Sequence, residues 1–101
     1  MQDINEGRIL LMARPREQRK VDFRPPVTFF KPAGIPLRQL EIVVLEREEG
    51  EALRLVHLNN LDQVAAAKKM QTSQATFSRI LQRAYSKLAD AMVHGKAIKI
   101  E

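Results

Sequence analysis

The residues of this chain best suited to chemistry are basic side chains at helical spacing. Arg79, Arg83 and Lys87 follow one another at intervals of four, so a helix would present them as one row. Between Gln63 and Leu88 the chain holds five basic residues and neither Asp nor Glu. Cations without neighbouring carboxylates are suited to contact with phosphate groups. The same row on a plain helical hairpin would only face solvent, and spacing alone does not separate these two interpretations.

Other kinds of chemistry find little support. His57 and His94 lie in separate helical segments without the spacing of metal ligands, and the chain has no cysteine. Four clustered glutamates are better interpreted as the solvated first turn of a helix than as a metal or acid–base site. They are Glu46, Glu48, Glu49 and Glu51. We therefore expect no enzyme, no metal and no cofactor.

Length and charge narrow the class further. A chain of 101 residues forms one small domain, and its net charge of +5 favours a polyanionic partner. Residues 13–38 and residues 63–101 each hold seven basic and two acidic side chains, whereas residues 39–62 hold two basic and six acidic ones. Both basic blocks are thus available to nucleic acid. No apolar run approaches the length needed to span a membrane, so we expect a cytoplasmic protein without a membrane partner.

Two helices would position the basic row. Leu61, Val64 and Ala67 lie three apart and predict the apolar face of a short helix that ends near Met70. Ser73 is then placed to cap a second helix with its hydroxyl. The second helix has an apolar face that runs to a stop at Gly95; this face consists of Phe77, Ile80, Leu81, Ala84, Leu88, Ala91 and Met92. A short helix, a turn and a longer helix with a basic row are the parts that place a helix in the major groove.

The remaining segments are predicted with less detail. Prolines exclude helix between Arg24 and Pro36, where residues 27–30 predict a short edge strand. Residues 96–101 alternate and predict a further strand, and residues 48–58 predict a helix. The segment from Leu40 to Leu45 fits a strand or a helix.

Residues 1–24 are interpreted as a flexible basic arm, of which residues 1–11 form an extension, and residues 25–101 as the folded domain. The arm has few apolar residues to bury, so its cations are expected to contact the DNA backbone. These cations are Arg14, Arg16, Arg19 and Lys20.

Four longer motifs place the chain in a family; they are Met12–Arg16, Pro25–Leu37, Glu51–Leu55 and Gly95–Ile98. With them, the chain resembles a small prokaryotic family of uncharacterised proteins predicted to bind DNA. Its helical half is similar to region 4 of primary-type sigma factors, which reads promoter DNA. The resemblance implies a supporting helix over residues 64–70 and a recognition helix over residues 73–89.

The resemblance also implies which side chains meet DNA. Those expected to reach bases are Ser73, Gln74, Ala75, Ser78 and Arg79. From their charge, the helix residues expected to hold phosphates are Lys68, Lys69, Arg83 and Lys87. Gln suits adenine and Arg suits guanine. Two positions depart from the family pattern. Gln71 stands where a glycine is usual, so either its backbone is strained or the turn differs from that of the family. Gly50 replaces an apolar residue and should weaken its helix.

The sequence thus predicts a mainly α, sigma-region-4-like helix-turn-helix domain with one or two short strands, from the proline-rich segment and the C-terminus. The predicted function is sequence-specific binding of double-stranded DNA in transcription regulation. A homodimer is expected through the strand edges of residues 27–30 and 96–100; the alternative is that these strands pair within one chain.

Two other classes of function remain open. One is a sigma-like adaptor that contacts RNA polymerase or another protein through the acidic middle. The other is an RNA or single-strand binder that stacks bases on Phe29 and Phe30, although such a pair more often fills a small core.

Overall fold

The computed structural model describes residues 19–101, and these form a mixed α and β arrangement rather than a mainly α one. Three short strands pack with three α-helices. In chain order the elements are β1 (Phe29–Phe30), a 3₁₀ turn (Leu37–Gln39), β2 (Ile42–Leu45), α1 (Arg47–Leu53), a π-helical turn (Arg54–Leu58), α2 (Gln63–Lys69), α3 (Gln74–His94) and β3 (Ala97–Ile100). The segment that the sequence left undecided is therefore a strand, which suits its β-branched residues.

The three strands form one sheet in the order β1-β3-β2. β1 is antiparallel to β3, with Phe29 opposite Lys99, whereas β2 is parallel to β3, with Ile42 opposite Ala97. The two predicted strands thus pair with each other inside one chain, which was the predicted alternative to pairing between two chains. β3 is the central strand of the sheet, and β1 and β2 are its edges.

α3 is the helix around which the core is built. Its buried side chains are Phe77, Ile80, Leu81, Ala84 and Ala91. The larger apolar cluster joins the first half of α3 to α1, the π-helical turn and α2, and a smaller one joins Ala84 to Leu45 and Ile100 of the sheet. Two predicted core residues are wrong: Val64 is 51% exposed and Met92 is 79% exposed. The predicted core positions Ala67 and Ala91 are buried, and α2 also buries Ala66, which the sequence did not predict.

Residues 19–24 belong to the folded domain, which corrects the predicted arm over that stretch. The Lys20 N–H donates to the Met70 carbonyl at 3.0 Å, and the Asp22 N–H donates to Glu51 Oε2 at 3.3 Å. Val21 packs against the larger apolar cluster and Phe23 against the smaller one. These two residues alternate with polar ones, so an extended chain turns both inward. Arg14 and Arg16, with the rest of residues 1–18, lie outside the described residues.

Gly50 owes its place to Phe23. A Cβ atom at residue 50 would lie 2.3 Å from Cε2 of the Phe23 ring, closer than carbon atoms can approach. Gly50 lowers the intrinsic stability of α1, because glycine is a poor helix former. Its missing Cβ leaves the space that the Phe23 ring occupies against the helix. The sequence predicted the cost at this position and missed the packing.

The turn between α2 and α3 has a strained backbone, which is one of the two alternatives that the sequence left open. Gln71 has a φ of 59°, in the left-handed region that glycine adopts most easily. Its N–H donates to the Lys68 carbonyl at 3.0 Å, and the Thr72 N–H donates to the Ala67 carbonyl at 3.1 Å. This pair of hydrogen bonds ends α2 in a Schellman motif and fixes the direction in which the chain enters α3.

Candidate nucleic-acid interface

A side chain caps the N-terminus of each of the helices α2 and α3. Asp62 Oδ1 accepts the Ala65 N–H at 2.8 Å, and Ser73 Oγ accepts the Thr76 N–H at 3.1 Å. The Ser73 cap was predicted, whereas the Asp62 cap was not. Because Ser73 Oγ accepts the N–H of the cap with one lone pair, its hydroxyl hydrogen and its second lone pair are what is left for a base or phosphate. Ser73 is thus first a structural residue of this surface.

The first turns of α3 turn a polar face to solvent. Gln74, Ala75, Ser78 and Arg79 are all exposed, whereas Phe77 and Ile80 between them are fully buried. The predicted base-reading residues therefore lie together on one surface of one rigid element. That surface is large enough for contact with a groove, because it extends over more than one helical turn.

Two residues extend this face beyond the predicted set. Gln82 and Ser86 are exposed and follow Ala75 and Arg79 at the helical spacing that keeps side chains on one side. Steps of three or four residues along the helix lead from Ala75 to Gln82 and Ser86, so the sequence could have predicted both. We call the surface of Gln74, Ala75, Ser78, Arg79, Gln82 and Ser86 the α3 polar face.

The cations near the α3 polar face fall into two groups. Within residues 19–101 no carboxylate oxygen lies within 4.0 Å of the charged nitrogens of Lys68, Lys69 or Arg79. Lys68 and Lys69 are exposed at the end of α2, and the backbone of Lys20 is bonded to the turn that follows them. Lys20 Nζ lies 3.9 Å from Asp22 Oδ2, a loose and exposed pair. Lys20 thus belongs with the cations that can meet phosphate.

The other group is paired with glutamates of α1. Arg83 Nε and Lys87 Nζ lie 3.2 Å and 2.8 Å from the two carboxylate oxygens of Glu49, and Arg83 Nη2 lies 3.2 Å from Glu48 Oε2. Arg19 Nε lies 3.0 Å from Glu48 Oε1. The structure therefore gives three predicted phosphate-binding cations an internal partner. The carboxylates of Glu48 and Glu49 largely neutralise these cations in the absence of a ligand, because solvent ions screen an ion pair little in a partly buried site.

Glu49 is the centre of this ion-pair cluster. Its side chain is fully buried, and besides the two cations it accepts the backbone N–H of Glu46 at 2.8 Å. The Glu46 side chain in turn caps the N–H of residue 49, so the two glutamates form a capping box. The prediction of a solvated acidic turn is thus wrong for Glu49 and also for Glu51, which is 2% exposed. The Glu–x–x–Glu spacing and the Arg83–Lys87 interval were the signals for this arrangement.

Glu51 anchors a second, separate ion pair on the other side of α1. Its two carboxylate oxygens each accept one hydrogen bond from the Arg54 guanidinium, both at 2.9 Å. These bonds raise the pKa of Arg54 further above its ordinary value. At the far end of α3, hydrogen bonds from His94 and Lys96 lower the pKa of Asp90, and Asp90 with Glu41 raises the pKa of Lys96. Neither set lies on the α3 polar face.

Phe29 and Phe30 do not form the small core that the sequence favoured. They are 40% and 52% exposed, and as neighbours on a strand they point to opposite faces of the sheet. Phe30 borders a shallow cavity of about 430 Å³ beside Leu88 and Met92. The Phe29 ring lies on the outer face with Lys99 Nζ 5.9 Å from its centre. The two rings therefore do not make one stacking platform.

Two further classes of site are absent from the part of the chain that the structure describes. No group of three or more His, Cys, Asp or Glu side chains there is arranged to hold a metal ion. Among the same residues, every helix is too short or too polar to cross a membrane.

Comparison with known proteins gives the chain a family. Residues 8–101 match the family described as "Protein of unknown function DUF134". The chain belongs to this family. A UPF0251 protein of Moorella thermoacetica is 53% identical over 90 residues, which are 89% of this chain and 60% of the relative. UPF0251 proteins of Halothermothrix orenii and Caldanaerobacter subterraneus are 47% and 51% identical over 90 residues, and these cover 67% and 76% of the relatives.

The DUF134 chain thus spans 60% of the length of its Moorella relative, and the activity of the longer proteins is a separate question. No solved structure matches the chain. The predicted membership of an uncharacterised prokaryotic family is confirmed in this coarser form. The names of these relatives indicate no activity or ligand.

Proposed function

We propose that α2 and α3 form a helix-turn-helix that binds double-stranded DNA in a sequence-dependent way and so regulates transcription. One observation carries this proposal: the α3 polar face, which includes Arg79, is exposed on a helix whose opposite side is buried, and within residues 19–101 no carboxylate pairs with Arg79 or with Lys68 and Lys69 at the end of α2. Neither Asp nor Glu occurs between residues 63 and 89 to repel a phosphate. A surface of this composition suits a groove lined by phosphates.

The packing of α3 limits which part of it can enter a groove. Ion pairs with α1 engage Arg83 and Lys87 on one flank of the helix, and the sheet packs against Ala84 on another. The turns from Gln74 to Ser86 keep one open side. With a rise of about 1.5 Å per residue this open stretch is about 20 Å long, enough to cross a major groove about 12 Å wide.

The residues divide into readers and holders by chemistry. Arg79 suits the two acceptors of guanine, and Gln74 and Gln82 suit the donor and acceptor of adenine. In this proposal, Lys68 and Lys69 at the end of α2 hold phosphates on one side of the groove. Lys20, bonded to the adjoining turn, extends this cationic border.

A pair of substitutions on α3 tests the proposal. Arg79→Ala should cost about 1–3 kcal/mol of binding to the preferred duplex and flatten preference at one base position. Lys87→Ala should leave the salt dependence of binding unchanged, since Lys87 is held by Glu49, and should lower the free energy of unfolding instead. Fluorescence anisotropy on a duplex selected from a random pool, repeated over a salt titration, measures the affinity of each variant and the salt dependence of that affinity.

The matched control is Lys99→Ala, which removes a cation from the outer face of the sheet and should change neither affinity nor site preference. Equal weakening of all duplexes by Arg79→Ala would show a surface that holds phosphates without reading bases. Tighter binding to single strands than to duplex would overturn the helix-turn-helix proposal. Absence of any nucleic-acid binding, with a partner protein still bound, would favour an adaptor.

A further inference from the structure

The outer edge of β2 carries backbone groups that face away from the rest of the sheet. The Ala97 N–H donates to the Glu41 carbonyl at 2.9 Å, and the Glu101 N–H donates to the Leu45 carbonyl at 3.0 Å. Odd-numbered residues of this segment therefore bond toward β3. In a parallel ladder the residues between them point the other way, so Ile42 and Val44 direct their N–H and C=O groups outward. Within residues 19–101 no further strand lies on that side.

This edge lacks the features that usually prevent strands from pairing between chains. Single-chain proteins blunt exposed edges with proline, lysine, a bulge or a very short strand. β1, the other edge, has only two residues and is followed by Lys31 and Pro32. β2 has four residues, and between Gln39 and Glu46 the sequence contains no Pro, Gly, Lys or Arg. Of the two edges, β2 is thus the one suited to pairing.

The side chains along the β2 edge are also suited to burial. Ile42 and Val44 point to the outer face of the sheet, opposite to Leu45, and are 45% and 38% exposed. Phe29, across the central strand, is 40% exposed on the same face. β-branched side chains gain from a neighbouring strand of the same kind. An aliphatic strip beside free backbone groups is the chemistry that another extended strand recognises.

We propose that β2 pairs antiparallel with β2 of a second copy of this chain, about a two-fold axis at Val43. Outward residues must face outward residues, so Ile42 lies opposite the partner's Val44 and Val44 opposite the partner's Ile42. The four outward N–H groups and four outward C=O groups then satisfy one another in four hydrogen bonds. The product is a continuous sheet of two three-stranded halves.

Symmetry and charge favour a second copy as the occupant. A pairing shifted by two residues in one direction would place Val44 opposite the partner's Leu40, and a shift in the other direction would place Ile42 opposite the partner's Glu46. Leu40 and Glu46 both lie outside β2. In the pairing about Val43, Glu41 lies opposite the partner's Leu45 and Glu46 opposite the partner's Leu40. No carboxylate then faces another directly, which avoids the repulsion of like charges across a ladder. The inference does not depend on the proposed DNA binding.

Because the chain has no cysteine, single-cysteine variants test the register without background. Val43 meets its own counterpart at the axis in a pair without mutual hydrogen bonds, where Cα atoms lie about 4.5 Å apart, within disulfide reach. Val43→Cys should therefore become a covalent dimer rapidly under mild oxidation, measured on non-reducing gels. Val44→Cys is the matched control, since it lies two positions from its own counterpart and should react much more slowly. Equal rates, or no covalent dimer from Val43→Cys, would overturn the proposal.

Sedimentation velocity of the natural full chain is the independent measurement. We expect a dimer in the micromolar range, and Ile42→Lys should raise its dissociation constant at least about tenfold while leaving the circular dichroism spectrum unchanged. Val27→Lys, a similar change at a 50% exposed residue near β1, should leave the dimer intact. A natural chain that stays monomeric throughout this range would overturn the inference, as would equal weakening by the two lysines.

Discussion

The buried carboxylate of Glu49 gives the sharpest quantitative prediction. In Glu49→Gln the side chain keeps its length, so the backbone cap on Glu46 survives while the charge facing Arg83 and Lys87 is lost. A hydrogen bond to a charged group contributes about 1.5–3 kcal/mol. Both cations keep part of their hydration, with side chains 49% and 29% exposed, so each bond should count near the lower end. We therefore expect a loss of about 2–4 kcal/mol in the free energy of unfolding.

Urea titration followed by circular dichroism measures this loss, and thermal unfolding should show a decrease of about 10–25 °C in the midpoint for a domain of this size. Glu41→Gln is the matched control, because Glu41 has one partner, Lys96 at 3.2 Å, and a side chain that is 79% exposed. An exposed pair of this kind contributes under about 1 kcal/mol. If both variants unfold at the same urea concentration, the buried ion-pair cluster does not stabilise the fold and the reasoning fails.

Glu49→Gln also connects stability to the proposed function. Without the carboxylate, Arg83 and Lys87 become available to phosphates, so the slope of log K against log salt for duplex binding should steepen by about one to two. The folded fraction must be held constant by measuring below the unfolding transition. An unchanged slope would show that the two cations lie beyond the reach of DNA even when they are released.

Three further perturbations follow from single contacts. Gly50→Ala should lower the free energy of unfolding by roughly 1–3 kcal/mol, because the added Cβ would lie 2.3 Å from the Phe23 ring; a more stable variant would show that the ring moves aside and helix propensity decides. Gln71→Gly should raise it by about 0.5–1 kcal/mol, since glycine accepts the φ of 59°; urea titration showing a loss would contradict the strain. Asp90→Asn concerns pH. Hydrogen bonds from His94 and Lys96 lower the pKa of Asp90, so its carboxylate stabilises the fold above its unfolded pKa of about 3.9, and this contribution disappears as pH falls through the folded value. The stability of Asp90→Asn should therefore vary less with pH in the acid range than that of the natural chain, and parallel curves would refute the assignment.

Local signals predicted much of the helical half. Ser73 caps α3, Gly95 ends it in the left-handed region, and the turn at Gln71 is strained, each as the sequence indicated. These features depend on residues within one turn of each other, and their physics is the same in any fold. The exposed positions of Gln74, Ala75, Ser78 and Arg79 likewise follow from helical periodicity once Phe77 and Ile80 are assigned to the core.

Contacts between distant segments were beyond such signals. Four clustered glutamates look like a solvated turn, and only the crossing of α1 beside α3 buries Glu49 against cations 34 and 38 residues away. The same crossing gives Arg19, Arg83 and Lys87, which the sequence assigned to phosphate contacts, carboxylate partners within the chain. The segment of residues 19–24 was assigned to a flexible arm because its apolar partners, which lie in the three helices and the sheet, are remote in sequence.

The sequence by itself thus determined the main helices, the Ser73 cap, the end of α3 at Gly95, the polar face of α3 and membership of the DUF134 family. Tertiary structure alone decided that residues 42–45 form a strand parallel to β3, that Val21 and Phe23 pack into the core, and which cations of residues 19–101 pair with a carboxylate. The physical reason is how far apart in the sequence the interacting residues lie. Periodicity and capping are properties of a few consecutive residues, whereas sheet register and ion pairing depend on which remote segments share the same space.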